Sequence, residues 1–269
     1  MRTAAAPGGF LLATASIWER EMVRFIRQPS RIVGLVAAPL LFWIFIGSGL
    51  GTSFQPGAAA NGSGYLQYFF PGTVVMIVLF ASIFSNMSTI EDWRDGFLLS
   101  VMVAPAPRAS LVLGKIFGGT TQAMIPGLLF LLLAPFAGYR LGDSAAFLAI
   151  VILFLVSVSL TSLGFAVAWW MDSAQGFHAV LNLVLMPAWV LSGALFPSSG
   201  SSGWIRAIMR ANPMSYEVEA LRGALAAAAT ESLNGISLER AVAVTTVFAV
   251  LMTLIALLWA GRPTIKHLA

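Results

Sequence analysis

The stretch that decides the fold is residues 91–115, EDWRDGFLLSVMVAPAPRASLVLGK, the densest patch of charge between two long apolar segments. No charged residue occurs between Arg31 and Glu91, and the chain turns apolar again from Ile116. Charge is costly to bury in lipid, so this alternation is typical of a polar connection between membrane helices. We interpret residues 91–107 as a structured turn between two membrane spans and call it the elbow.

Composition indicates the same class of protein. Of the 269 residues, 58% are hydrophobic and 10% are charged, whereas a soluble domain has roughly 25% charged residues. The formal net charge is +4, but the basic residues lie at the ends of apolar runs, which is the positive-inside pattern of membrane proteins and does not indicate nucleic-acid binding. The chain has no cysteine, and His178 and His267 are far apart, so no disulfide or His/Cys metal site is expected.

An amphipathic interfacial helix is predicted over residues 16–30. Apolar and basic side chains recur there with the period of a helix, so each kind occupies its own face. The apolar face carries Trp18, Met22, Phe25 and Ile26, and the basic face carries Arg20, Arg24 and Arg27. Such a helix lies along a membrane with its basic side toward lipid phosphates and the cytosol. The alternative is a solvated helix that merely precedes the first span.

Six apolar runs are long enough to cross a bilayer, which takes roughly 20 residues. The predicted spans are 32–54, 65–90, 116–139, 145–171, 177–197 and 241–260. Basic residues flank the first span, occupy the elbow and follow the last span, which places both termini and the elbow in the cytoplasm. The fold class is therefore an all-α membrane protein, with one transmembrane domain over residues 1–269. We do not expect an amino-terminal signal to be cleaved.

The loop between the last two spans should lie outside, although it carries arginines. We predict two short re-entrant helices over residues 198–225 that dip into the outer leaflet, with Asn212 and Pro213 starting the second. These helices would hold the arginines of the loop, Arg206, Arg210 and Arg222, near lipid phosphates and near Glu217 or Glu219. An alternative topology places this loop inside.

Catalytic chemistry is not apparent in the sequence. No charge lies centrally in a predicted span, which is unlike an ion-coupled transporter or an intramembrane enzyme. Gly114 and Lys115 look like the end of a phosphate-binding loop, but that loop needs Ser or Thr at the position of Ile116 and Gly at the position of Ala109. Energy for any transport must therefore come from another chain.

Two stretches resemble a known family. The elbow spacing Glu91-x4-Gly96-x8-Pro105-x2-Arg108-x5-Gly114-Lys115 is similar to the loop between the second and third spans of ATP-binding-cassette (ABC) permeases of the type 2 export family. The segment 191–225, LSGALFPSSGSSGWIRAIMRANPMSYEVEALRGAL, resembles the family's connection between the fifth and sixth spans. The matching positions there are Ser192-Gly193, Phe196-Pro197, Asn212-Pro213, Tyr216 and Leu221-Arg222. With the interfacial helix and the span count, the similarity covers essentially the whole chain.

The resemblance implies a half-size permease that forms a homodimer in the bacterial inner membrane. Each copy would dock on a separate cytosolic ATPase subunit, which binds ATP and Mg, while this chain binds no cofactor. The short helix of the elbow would fit a groove of the ATPase. The coupling residues implied are Glu91, Asp92, Arg94, Asp95, Gly96, Phe97, Leu98, Pro105 and Arg108. Trp93 and Asp95 stand where the family often has a basic and an acidic residue. The alternative is an ordinary solvated loop.

In the family the substrate path lies at the dimer interface and is lined by spans two and five. The implied path residues are Phe80, Phe84, Asn86, Asn182, Met186 and Trp189. Aromatic and methionine side chains with a few amides suit an amphipathic or lipid-like cargo. The resemblance implies export of an amphipathic, drug-like, lipid-linked or polysaccharide substrate. The same residues are also consistent with plain helix packing. A flippase with a narrow substrate, a passive channel and a structural membrane partner without ATP coupling remain alternatives.

Overall fold

The computed structural model describes residues 7–50, 64–103, 106–140, 142–226 and 235–261, and within these ranges the chain is helical with no strand. The described helices are α1 (Pro7–Ile26), α2 (Pro29–Leu50), α3 (Tyr65–Arg94), α4 (Phe97–Val103), α5 (Arg108–Leu131), α6 (Asp143–Ala168), α7 (Ala174–Trp189), α8 (Gly203–Ala211), α9 (Pro213–Leu225) and α10 (Leu238–Gly261). Short 3-10 helices form at Ala134–Ala137 and Ser198–Gly200, and a π-helical turn at Val190–Ala194 extends α7. The predicted all-α class is confirmed.

Five stretches of the described chain are long and apolar enough to cross a membrane. They are Pro29–Gly49, Tyr65–Arg94, Asp143–Ala168, Ala174–Ala194 and Leu238–Gly261. They lie at the positions of the first, second, fourth, fifth and sixth predicted spans. α5, at the position of the third, is not among them, because the run Gly-Gly-Thr-Thr-Gln at 118–122 lowers its hydropathy. A count of six spans therefore stays a prediction.

α3 is the centre of the bundle. It runs for 30 residues without a break. In its most apolar stretch of 18 residues, 89% of the residues are buried. α2, α5 and α6 pack around it. The predicted second span ended at residue 90, but the helix continues to Arg94, so the first residues of the elbow belong to α3.

Two other helices begin earlier than the sequence indicated. α1 starts at Pro7 rather than residue 16, and it packs along α5. α5 starts at Arg108 rather than residue 116, and Leu111 and Val112 in its first turns are buried. The charges of residues 108–115 are typical of a polar connection, but Lys115 is only 3% exposed.

The connection from α7 to α10 folds back on the bundle. Asn212 caps α9, since its side chain accepts the Met214 N–H at 3.0 Å and Pro213 is the first helical residue, as predicted. α9 packs against α6 and α10. Of the three arginines expected near Glu217 or Glu219, Arg222 forms the buried ion pair with Glu219, whereas Glu217 contacts Ser159. Arg222 is the better-placed partner because it lies three residues from Glu219 on the same helix.

Candidate functional site

A cluster of buried charged residues joins α1, α3 and α5 beside the elbow. We call Arg20, Glu21, Ser88, Asp92 and Lys115 the buried charge cluster. The Lys115 ammonium donates to Glu21 Oε1 at 2.7 Å, to Ser88 Oγ at 3.1 Å and to the Asp92 carboxylate. These acceptors match the three N–H donors of an ammonium group. Charges this deeply buried persist only when they are paired in this way.

Arg20 completes the charge balance of the cluster. Its guanidinium donates to both carboxylate oxygens of Asp92, at 2.6 and 2.8 Å, which is the strong bidentate geometry. This hydrogen bonding to Asp92 raises the pKa of Arg20. Arg24, one turn further along α1, lies 3.2 Å from Glu91 Oε2. The ion pairs therefore fix α1 against the end of α3 and the start of α5.

The elbow helix α4 is attached to this cluster through an aromatic contact. The Phe97 ring covers the Arg20 guanidinium, with 3.7 Å between the Cζ atom and the ring centroid. Leu98 is fully buried in an apolar cluster that includes Trp93. Gly96 makes the turn between α3 and α4 with φ at +72°, a conformation that strains other residues. The elbow helix therefore contacts Arg20 of α1 directly.

The predicted coupling residues divide into inward and outward groups. Asp92, Phe97 and Leu98 face the chain itself, and only part of Phe97 is exposed. Arg94 donates to the Asp172 carbonyl at 2.9 Å, and Arg108 donates to the Gly261 carbonyl at 3.2 Å. Pro105 lies outside the described residues. The exposed members of the elbow are Glu91, Arg94, Asp95, Leu99, Ser100 and Val103.

The predicted interfacial helix also turns part of its basic face inward. Arg20 and Arg24 contact acids of the same chain, while Arg27 is exposed. Trp18 donates its indole N–H to Thr121 Oγ1 at 3.1 Å, and Phe25 is 1% exposed. The acids that pair with Arg20 and Arg24 lie on α3. The sequence of α1 alone therefore predicted that these arginines contact lipid phosphates.

Sequence reasoning missed Glu21, although a signal for it exists. Ile17, Glu21 and Phe25 recur every four residues, and all three are buried on one face of α1. A single acid on an otherwise apolar helical face indicates a buried partner of opposite charge. Lys115 belongs to the spacing that resembles the family, but that spacing gives no sign that Lys115 is buried.

The six predicted path residues do not share one surface. Asn86 is 3% exposed and donates to the Ser82 and Thr161 carbonyls at 2.8 and 3.1 Å. Trp189 is 1% exposed and donates to the Gly72 carbonyl at 2.8 Å. Both residues therefore act in helix packing. The members with some exposure are Phe80, Phe84, Asn182 and Met186.

A second set of buried polar residues holds the π-helical turn at the opposite end of α3. Arg222 pairs with Glu219, donates to the Gly193 carbonyl at 3.0 Å and lies 4.5 Å from the Tyr68 ring centroid. The Tyr68 hydroxyl donates to the same carbonyl at 2.7 Å. Gly193 has φ at +82°, so the turn has an unusual backbone that these bonds stabilise.

Among the residues that the structure describes, no group of three or more His, Cys, Asp or Glu could hold a metal ion. Here the acids that cluster are instead neutralised by arginine and lysine. The charged groups therefore serve to join helices.

An all-α bundle with several apolar spans and a charged, internally braced turn defines a multi-pass membrane protein. Residues 13–226 match the ABC-2 type transporter family, and the chain belongs to that family. The resemblance found in the elbow and in residues 191–225 is thereby confirmed. Permeases of this family work with a partner ATPase, so the chain is a transmembrane subunit of an ABC transporter.

Curated relatives agree with this assignment. The chain is 27% identical over 209 residues to a putative transport permease, ycf38, of Cyanophora paradoxa, covering 76% of this chain and 71% of the relative. It is 26% identical over 226 residues to nodulation protein J of Neorhizobium galegae, covering 83% and 84%. It is also 26% identical over 214 residues to the daunorubicin resistance ABC transporter permease protein DrrB1 of Streptomyces coeruleorubidus, covering 77% and 72%.

Proposed function

We propose that this chain is the permease of an exporter that moves an amphipathic, drug-like, lipid-linked or polysaccharide substrate out of the cytoplasm. It works as a homodimer in the bacterial inner membrane with both termini in the cytoplasm. A separate ATPase, carrying ATP and Mg, drives it through residues 91–107. The similarity to a daunorubicin resistance permease supports a drug-like cargo.

The observation that carries this proposal is the contact between Phe97 and Arg20. Phe97 belongs to α4, and Arg20 is bound through Asp92 to Lys115. These four residues connect the elbow to α1, α3 and α5 without an intervening loop. Buried ion pairs hold their geometry because separating the charges leaves each one without a partner in an apolar environment. A push on α4 therefore moves three helices together.

The outward face of the elbow is the surface that we assign to the ATPase. Leu99 is 39% exposed and Val103 is 86% exposed, and Asp95, just before the turn into α4, is exposed as well. Apolar residues next to a charge suit a docking contact that must seat in a groove and keep one orientation. Leu98, which the sequence suggested as an anchor, serves instead to attach α4 to its own chain.

We also assign a membrane crossing to α5. It is 24 residues long, about the length needed to span a bilayer. α1, α3 and α6 pack against it, so its glycines and hydroxyl groups meet protein. A helix enclosed in this way does not need the hydropathy of a lipid-exposed span.

The test separates docking from coupling in nanodiscs that contain the chain and its co-purified ATPase. Val103→Asp should release the ATPase from the permease. Phe97→Leu should leave the complex assembled but lower the stimulated ATP hydrolysis several-fold, because it removes a cation–π contact of about 0.5–2 kcal/mol. Phe136→Leu is the matched control, since Phe136 is 84% exposed and lies away from the elbow.

Two results would overturn the proposal. The first is that no ATPase co-purifies and that substitutions in the elbow do not change ATP hydrolysis. The elbow then does not couple the chain to an ATPase. A passive channel or a structural membrane partner is then the better reading. If Phe97→Leu and Phe136→Leu reduce stimulation equally, the contact with Arg20 has no specific role in coupling.

A further inference from the structure

A pocket lined by two arginines lies at the end of the bundle opposite the elbow. The two ends of α3 define these positions. Tyr68, near the start of α3, donates to the turn at Val190–Ala194, whereas the last residues of α3 belong to the elbow. The pocket is a small cleft, open to solvent on one side, between that turn, α8 and the start of α9. Arg206 and Arg210 line it together with Ser215, and its described lining contains no acidic residue.

Two hydrogen-bond donors in this pocket are buried without an acceptor in the described structure. They are the Nε–H of Arg206 and the hydroxyl of Ser215, a residue that is 3% exposed. Arg206 uses Nη2 to donate to the Ser201 carbonyl at 3.1 Å, which fixes the guanidinium and leaves Nε unused. Buried donors are normally paired, so both indicate an acceptor that occupies the pocket.

The chemistry of the donors favours an oxyanion. Guanidinium groups pair with phosphate or carboxylate through fixed N–H donors, and a serine hydroxyl adds a further bond. Ser215 is also the third residue of α9, whose first residue is Pro213, so the pocket lies at the positive end of that helix dipole. Both features stabilise negative charge at the same point.

The opposite side of α8 indicates where this oxyanion is found. Trp204 is 66% exposed and Ile208 is 42% exposed, whereas Met209 is 3% exposed. A short helix with an exposed tryptophan and an apolar stripe lies in the interface of a bilayer, at the depth of the headgroups. The arginines of α8 are then level with lipid phosphates.

We propose that this pocket binds the phosphate of an anionic phospholipid headgroup. Arg206 and Ser215 hold the phosphate oxygens, and Arg210 at the exposed rim adds positive charge. The bound lipid fixes α8 to the turn that ends α7. This role is separate from ATP coupling, because it requires neither the elbow nor the ATPase to be active.

The test measures lipid retention by native mass spectrometry. The full chain with its ATPase is released from nanodiscs of phosphatidylcholine that contain a minor fraction of phosphatidylglycerol. The unmodified chain should retain phosphatidylglycerol in excess of its share. Arg206→Gln should lower this retention about tenfold, the loss expected for one charge-assisted hydrogen bond. Ser215→Ala, which removes only a hydroxyl group, should lower it less and keep the fold.

Arg240→Gln is the matched control, because Arg240 is exposed at the start of α10 and does not line the pocket. It should leave retention unchanged. Equal losses in Arg240→Gln and Arg206→Gln would mean that net charge alone attracts the lipid, which overturns the site. Unchanged retention in both pocket variants overturns it as well. Displacement of the lipid by inorganic phosphate would assign the pocket to a small anion and overturn the lipid assignment.

Discussion

The Nζ atom of Lys115 lies 2.7 Å from Glu21 Oε1, and only 1% of the Lys115 side chain is exposed. The two residues are 94 positions apart in the chain, on α5 and α1. Their ion pair therefore makes the amino-terminal helix a structural part of the bundle. A helix that merely lay on the membrane would have no such partner.

Lys115→Met should destabilise the chain by about 3–5 kcal/mol, because it leaves Glu21 and Asp92 buried with one cation fewer. Equilibrium unfolding in mixed micelles measures this change. Adding Glu21→Gln should recover part of the loss, so that a double-mutant cycle gives a positive coupling energy. The exposed Arg27, changed to Met, should cost about 0.5 kcal/mol or less. Equal costs at Lys115 and Arg27 would show that the cluster adds no stability.

Gly119→Ala should destabilise the packing of three helices. A Cβ atom at Gly119 would lie 2.6 Å from Thr161 Cγ2 and 2.7 Å from Ser85 Oγ, so these side chains or the helices that carry them must shift. We expect a cost of about 1–3 kcal/mol in the same unfolding measurement. Gly34→Ala in α2 is the control, since nothing lies within 4 Å of its Cβ position. There the helix propensity of alanine should stabilise the chain slightly, and a similar cost at both glycines would contradict the packing account.

Trp189→Phe tests whether Trp189 serves packing or the substrate path. Its indole N–H donates to the Gly72 carbonyl at 2.8 Å, and the loss should cost about 1–3 kcal/mol of stability. The same change at Trp204, which is 66% exposed, should cost about 0.5 kcal/mol or less. Unchanged stability at Trp189, with altered substrate-stimulated ATP hydrolysis, would instead place it on the path.

Glu217→Gln should be tolerated better than Glu217→Ala. The Ser159 hydroxyl lies 2.5 Å from Glu217 Oε1 and 2.8 Å from the Val156 carbonyl, but it has one proton to donate. Both bonds form fully if Glu217 supplies a proton of its own, and the amide of Gln can do so as well. We expect Glu217→Gln to change stability by about 0.5 kcal/mol and Glu217→Ala to cost about 1–3 kcal/mol. The reverse order in thermal unfolding would mean that the carboxylate form is required.

The sequence predicted the fold class because charge and apolar length are properties of the chain itself. The gap in charge from Arg31 to Glu91 and the capping pair Asn212 and Pro213 are both local signals, and the structure agrees with them. The family resemblance also came from local spacing in the elbow. Such signals need no knowledge of which helices meet.

The contacts of the site were not predictable in the same way. The position of Glu21 on an apolar face indicates a buried cation, but nothing in the sequence identifies that cation as Lys115 until α1 and α5 are brought together. Asn86 looked like a path residue, yet its amide bonds two helices across a buried interface. The role of each of these residues depends on the partner that tertiary packing brings to it. Average hydropathy along the chain does not distinguish the buried face of a helix from its exposed face.

The unbroken course of α3 gives the molecule a mechanical property. A helix of 30 residues is about 45 Å long, and it bonds the Gly193 turn near one end and shares Asp92 with the buried charge cluster near the other. Tilting a rod of that length by about 5° displaces one end by about 4 Å relative to the other. A slight rotation of α3 at the elbow would therefore reach the far side of the bundle as a displacement of several ångströms.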